Sequence, residues 1–230
     1  HIDALAKRGT VMNNTVHQGG FSGAICTCSR AMLLTGRALW SVTPNELSYK
    51  GPAQLSTADT LLPEQFRNEG WDTFATGKWH NGNDALLRGF DHAEAVTGGM
   101  LPFNLRDRGG ARDNAIEIGM MDPSGVRINS DGKIEKHQSK GWSTDVFYDA
   151  AESFLDQTWD RKKPFMMYIS TNAPHDPRHV PAEILNRFTD VKEPPNYLPI
   201  HPFDNGDMKV RDEMVYKPPP LPETVRRERA

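Results

Sequence analysis

The sequence is short of cysteine, of excess positive charge and of long apolar runs, and each shortage removes a class of protein. Only two cysteines occur in 230 residues. Cys26 and Cys28 are too few for a disulfide framework. One residue apart, they are too close for an ordinary staple and poorly spaced for zinc. Cysteine usage therefore reports no compartment. The formal net charge is −3, with no basic footprint for nucleic acid. No apolar stretch nears the roughly 18 residues that cross a bilayer, so no transmembrane segment is expected. The chain opens on His1 and not on Met, and no signal peptide is expected within it. What is present is an ordinary soluble composition, 37% hydrophobic and 25% charged, long enough for one domain with a substantial core.

Periodicity places the elements. His1 to Arg8 reads as an amphipathic helix with Ile2, Leu5 and Ala6 on one face. Thr10 to Val16 reads as a short strand, and Ser29 to Gly36 as a helix behind Cys26. Thr57 to Glu69 reads as a helix with Leu61, Leu62 and Phe66 inward and Gly70 as C-cap. Trp71 to Thr76 reads as a strand, with a turn after it at Gly77–His80. Gly98 to Gly132 is polar, Gly-rich and aperiodic, and reads as a loop excursion. Ser143 or Thr144 caps a strong helix whose stripe is Val146, Phe147, Ala150, Ala151, Phe154 and Leu155. Pro164 to Ser170 is a continuous apolar run, the pattern of a strand buried on both faces. Pro181 to Phe188 reads as a short helix, and Pro194 to Pro222 as an extended surface segment. Alternating strands and helices predict an α/β fold whose parallel sheet binds ligands beyond its carboxyl edge. A chain opening mid-pattern at His1 and closing on the charged, Pro-rich 217–230 tail is expected to be a partial domain spanning 1–230.

The segment Cys26-Thr27-Cys28-Ser29-Arg30-Ala31-Met32-Leu33-Leu34-Thr35-Gly36-Arg37 carries the chemistry. A thiol precedes a helix start, where backbone N–H groups and the dipole favour an anion. Arg30, one turn along, can face the same anion. On spacing alone the segment reads equally as a buried thiol with Arg30 in a surface ion pair. Lys78, His80 and His175 come after predicted strands in Gly77-Lys78-Trp79-His80 and Ala173-Pro174-His175-Asp176-Pro177. Taken singly, these are a solvated lysine, a histidine packed on an aromatic and a rigid turn.

Together the segments resemble the type I, formylglycine-dependent sulfatases. Cys26, Ser29, Arg30, Leu34, Thr35, Gly36 and Arg37 match that family's signature C-x-P/A-S-R-x-x-x-L-T-G-R. Residues 77–80 match its GKWH, residues 2–16 its first helix and strand, and residues 143–177 its STD…KPFxxYxxxxAPHxP block. The resemblance implies an alkaline-phosphatase-like sandwich with a mostly parallel central sheet flanked by helices. It implies that a maturation enzyme oxidises Cys26 to formylglycine, whose hydrate attacks sulfur and later expels sulfate. Arg30 would hold the diol, Lys78 and His80 would neutralise developing charge, and His175 would protonate the leaving oxygen. Cys26, as formylglycine, would also contact a divalent cation, commonly Ca²⁺, held by Asp-Asp and Asp-Asn pairs lying outside this chain. Asp204-Asn205-Gly206 comes after no buried strand and reads as an Asx turn. His17, His92, His137, His179 and His201 match no catalytic position, although His179 lies close enough to His175 to contact substrate.

One departure concerns conversion: Cys28 stands where the family has Pro or Ala, within what the maturation enzyme reads. The implied partners are that enzyme and a sulfated small molecule or glycan. The implied location is periplasmic, secreted or lysosomal. Two other functions fit the same residues: a phosphonate or phosphate monoester hydrolase of the same superfamily, and a catalytically incomplete chain that only binds sulfated ligands.

Overall fold

The computed structural model describes residues 1–16, 26–42, 55–98, 124–173 and 182–189. Among them, Asp72–Lys78 (β1), His92–Thr97 (β2), Ser124–Ile128 (β3), Ile134–Gln138 (β4) and Phe165–Ser170 (β5) form one sheet in the order β4-β3-β2-β1-β5. β1 pairs in parallel with both β2 and β5, whereas β2–β3 and β3–β4 are antiparallel. Every residue of β1 is buried, as expected for a central strand covered on both faces. The helices are Ile2–Arg8 (α1), Cys26–Thr35 (α2), Leu39–Val42 (α3), Leu62–Asn68 (α4), Asn83–Gly89 (α5), Ser143–Ser153 (α6) and Ala182–Leu185 (α7).

Alternation along β1 divides the core. Phe74 points to the face covered by α6, where it meets Ala150, Ala151 and Phe154. Its ring stacks on Phe154 with centroids 4.7 Å apart. Ala75 points to the opposite face and joins Ala31 and Leu34 of α2, Leu61, Leu86, Trp79 and Phe90. Helices on both faces of a sheet with a parallel centre make an α/β sandwich. Of the stripe expected here, Phe147, Ala150, Ala151 and, just past the end of α6, Phe154 are buried, whereas Val146 and Leu155 are only half-buried. The helix ends in a wider π-helical turn, Phe154–Thr158.

Several local expectations are corrected. Thr10 to Val16 forms no strand, and its Val11, Met12 and Val16 are exposed. α1 forms as expected but buries none of its residues. The helix expected from Thr57 begins at Leu62 with Pro63 in its first turn; Leu61 is buried but Leu62 is exposed. β1 continues through Gly77 and Lys78, so the expected turn starts later. The excursion Gly98 to Gly132 contains β3 at its end. There, Asn129 Oδ1 accepts from the backbone N–H groups of Asp131 and Lys133, and Gly132 takes φ +72. Asp131-Gly132 between short apolar-alternating runs is a hairpin signal that overall polarity hid. β5 has only β1 as a neighbour among the described residues and is half-exposed rather than buried on both faces. Residues 194–222 lie outside the described residues.

Candidate active site

α2 is amphipathic in a way that assigns its residues two jobs. Thr27, Cys28, Ala31 and Leu34 recur at helical spacing and are buried. Cys26, Ser29, Arg30 and Leu33 turn the other way and line a cleft of about 990 Å³. The end of the helix is fixed by its own chemistry. Thr35 Oγ1 donates to the Ala31 carbonyl at 2.7 Å, and Gly36 takes the left-handed φ +65 that ends the helix. Arg37 then pairs with the buried carboxylate of Asp59. The Leu34-Thr35-Gly36-Arg37 run thus has a structural explanation of its own.

Lys78 comes to the same cleft from the carboxyl end of β1. It is only 3% exposed, and its Nζ donates to Cys26 Sγ at 3.1 Å. Gly77 makes this possible. It sits at φ +85 where the β1–β2 register shifts, and a Cβ there would collide with the Ser170 carbonyl. Only glycine lets β5 approach so closely while the chain turns Lys78 toward α2. Trp79 anchors the segment after β1. Its indole N–H donates to the Gly82 carbonyl at 2.6 Å, and its ring meets Phe90 and Tyr168 edge-on.

Arg30 is held by three oxygens. Its Nη1 donates to the Lys78 carbonyl at 2.6 Å, to Tyr168 Oη at 2.9 Å and to Ser170 Oγ at 2.6 Å. The structure therefore brings together Cys26, Arg30 and Lys78, with Cys26 and Lys78 separated by 52 positions in the chain. His80 does not line the cleft. It sits next to Trp79 at the strained φ +64, and its buried Nδ1 has no hydrogen-bond partner among the described residues. His175, His179, Asp204 and Asn205 lie outside the described residues. His92 packs on Phe154, and His137 contacts Glu94 and Ser139, so neither belongs to the cleft. Ser170 escaped sequence reasoning, and Tyr168, though it is the Tyr of the KPFxxY match, was given no role there. Their alternate spacing on one strand was the available signal, but nothing local ties that face to Arg30.

The lining of the cleft is cationic, although Arg37 is already paired with Asp59. Arg30, Arg37 and Lys78 line it, and among the described residues no carboxylate does. Among those residues, too, no group of three or more His, Cys, Asp or Glu is placed to hold a metal. These side chains fit an anion and do not by themselves fit a hard cation, which needs a cage of oxygens. Cys28, 1% exposed, faces the core, and burial raises its thiol above the ordinary range.

The family model described as Sulfatase matches residues 1–211. An arylsulfatase of Klebsiella aerogenes is 26% identical over 203 residues, covering 82% of this chain and 40% of that protein. An N-acetylglucosamine-6-O-sulfatase of Bacteroides thetaiotaomicron is 28% identical over 189 residues, covering 78% of this chain and 28% of that protein. The structure of BT4656 in complex with its substrate D-glucosamine-2-N,6-O-disulfate superposes with a TM-score of 0.60 at 25% identity, over 85% of this chain and 34% of that one. The chain thus spans two fifths or less of the length of these relatives. The fold is the alkaline-phosphatase-like α/β sandwich shared with these neighbours.

Proposed function

The chain belongs to the sulfatase family, and from that premise we propose that it carries the nucleophile of a sulfuric ester hydrolase. The observation that carries this reading is the Lys78 ammonium 3.1 Å from the Cys26 sulfur, at the mouth of α2 and in a cleft lined by cations. Such a site stabilises a substrate whose transferred group is anionic. BT4656 is bound to a sulfated glucosamine, which supports a sulfated sugar or other sulfated small molecule as the substrate class.

In this reading a maturation enzyme converts Cys26 to formylglycine, which supplies the attacking hydroxyl. Lys78 neutralises the charge that grows on the oxygens of the ester. Three oxygens hold Arg30 Nη1, so its guanidinium plane keeps one orientation. His80 and His175 are assigned proton and charge roles by the family order of the motifs alone. Among the described residues, these side chains form no cage for calcium. Cys28 faces the core, so conversion is expected at Cys26 only.

The test is the full-length protein produced with a formylglycine-generating enzyme. Peptide mass spectrometry is expected to find Cys26 lighter by about 18 Da, as CH₂SH becomes CHO. Rates on paired aryl sulfate and aryl phosphate substrates then decide the reaction. A fully active enzyme with unmodified Cys26 would remove the mechanism, and a preference for phosphate would replace the reaction.

A further inference from the structure

Ser170 and Tyr168 carry hydroxyls that the functional reading leaves unused. They occupy alternate positions on β5, so they share one face, and both line the cleft that holds Cys26. Arg30 Nη1 lies 2.6 Å from Ser170 Oγ and 2.9 Å from Tyr168 Oη. A guanidinium has donors and no acceptor. Each hydroxyl oxygen must therefore accept, and its own proton is turned away from Arg30. Accepting from a cation also polarises the O–H bond and makes it a better donor. The neighbouring Asn172 lines the same wall, 2% exposed, and neither of its amide atoms has a partner among the described residues. Among the described residues, hydrogen-bonding capacity on this wall is therefore unmet, and no carboxylate of theirs lines the cleft to meet it.

We propose that Ser170 and Tyr168 are anion-binding donors of this cleft, completing with Lys78 a donor set for one tetrahedral oxyanion of the sulfate type. Because both oxygens accept from Arg30, which shares the two N–H groups of Nη1 among three oxygens, both hydroxyl protons stay available to an anion in the cleft. The proposal rests on the sulfate-ester reading for the identity of the anion, not for the existence of the donor set.

The experiment uses the full-length protein made without a maturation enzyme, so that Cys26 keeps its thiol and reports on the cleft. Alkylation of Cys26 by iodoacetamide and by iodoacetate is measured by peptide mass spectrometry, with inorganic sulfate as the competing probe. Cys28, in the core, serves as the unreactive internal control. Sulfate is expected to protect Cys26. Ser170→Ala and Tyr168→Phe are each expected to raise the sulfate concentration needed for half-protection about tenfold, the scale of losing one hydrogen bond to a charged group. Both should also lower the iodoacetate-to-iodoacetamide rate ratio. Ser170→Thr, which keeps the hydroxyl, should restore protection. The melting temperature and the iodoacetamide rate check that each variant remains folded with its thiol in place. Absence of sulfate protection in the parent protein, half-protection unchanged within about twofold in both variants, or failure of Ser170→Thr to restore it would each overturn the proposal. If sulfate protects with the expected dependence while the converted enzyme hydrolyses no sulfate ester, the donor set stands and the sulfate-ester reading falls.

Discussion

Lys78 is held out of water with its ammonium against a sulfur, an arrangement that costs desolvation and returns little to stability. That imbalance marks a residue retained for a task. Replacing it with a neutral side chain of similar length removes the desolvation cost together with the charge. Lys78→Met in the converted full-length protein is expected to lower aryl sulfate turnover by about 10²- to 10³-fold, the scale of losing one preorganised charge stabiliser. Its melting temperature should be unchanged or higher. Turnover within a few-fold of the parent would take Lys78 out of the chemistry. Cys28 gives a second prediction at this scale. Burial raises its thiol above the ordinary range, so the folded state keeps the proton to higher pH than the unfolded state does. The associated stability is whole below the unfolded thiol's pKa and is lost as pH rises through and beyond it, from about 8.5 upward. Chemical denaturation at pH 7 and pH 10 should therefore show a larger alkaline loss in the parent than in Cys28→Ala. Equal losses would mean that the thiol titrates alike in both states.

At the scale of elements, the site depends on how β1 meets β5. Their parallel register runs from Asp72 opposite Phe165 to Gly77 opposite Ser170. The last pair is a close approach that glycine alone permits, and it delivers Lys78 and Ser170 to the same cleft. Gly77→Ala would place a Cβ against the Ser170 carbonyl and force a side chain into φ +85. Strain of a left-handed non-glycine residue and overpacking each cost about 1–3 kcal/mol. Urea denaturation should accordingly show a loss of about 3 kcal/mol or more, and a loss below about 1 kcal/mol would show that the strands separate easily. The strand itself was legible in the sequence, because the run of apolar and small residues after Gly70 has no other reading. Its last two residues were not. A Gly-Lys pair looks like a turn, and only the register shift between Thr76 and Gly77 keeps it in the sheet.

For the whole molecule, the distribution of apolar surface is uneven. Ile2 and Leu5 of α1 are 83% and 73% exposed, and Phe165 and Ile169 on β5 are more than one third exposed. Apolar helix faces and strand positions of this kind are normally covered by another layer. The chain also spans only 40% and 28% of the two sulfatases compared above. Residues 1–230 produced alone are therefore expected to bind a dye for exposed hydrophobic surface. They should also hydrolyse aryl sulfates slowly or not at all, with or without added calcium. Strong calcium-dependent turnover by this chain would mean that residues outside the described ones, Asp204 and Asn205 first among them, build a metal site.

The amino-acid order by itself determined the family and the α/β class. It also picked out Cys26, Arg30 and Lys78, through the resemblance of their segments to the sulfatase motifs and not through spacing, which left each of them a plain structural reading. The stripe on α6 was equally plain, since period 3.6 needs no partner to be read. Tertiary structure alone decided that Cys28 faces the core two residues from a cleft-lining thiol. It also decided that β3 joins the sheet and that α1 has nothing to cover among the described residues. Above all, it decided that two hydroxyls from β5 meet Arg30 from α2. Those contacts join positions up to 140 residues apart, and no local periodicity carries information over that distance.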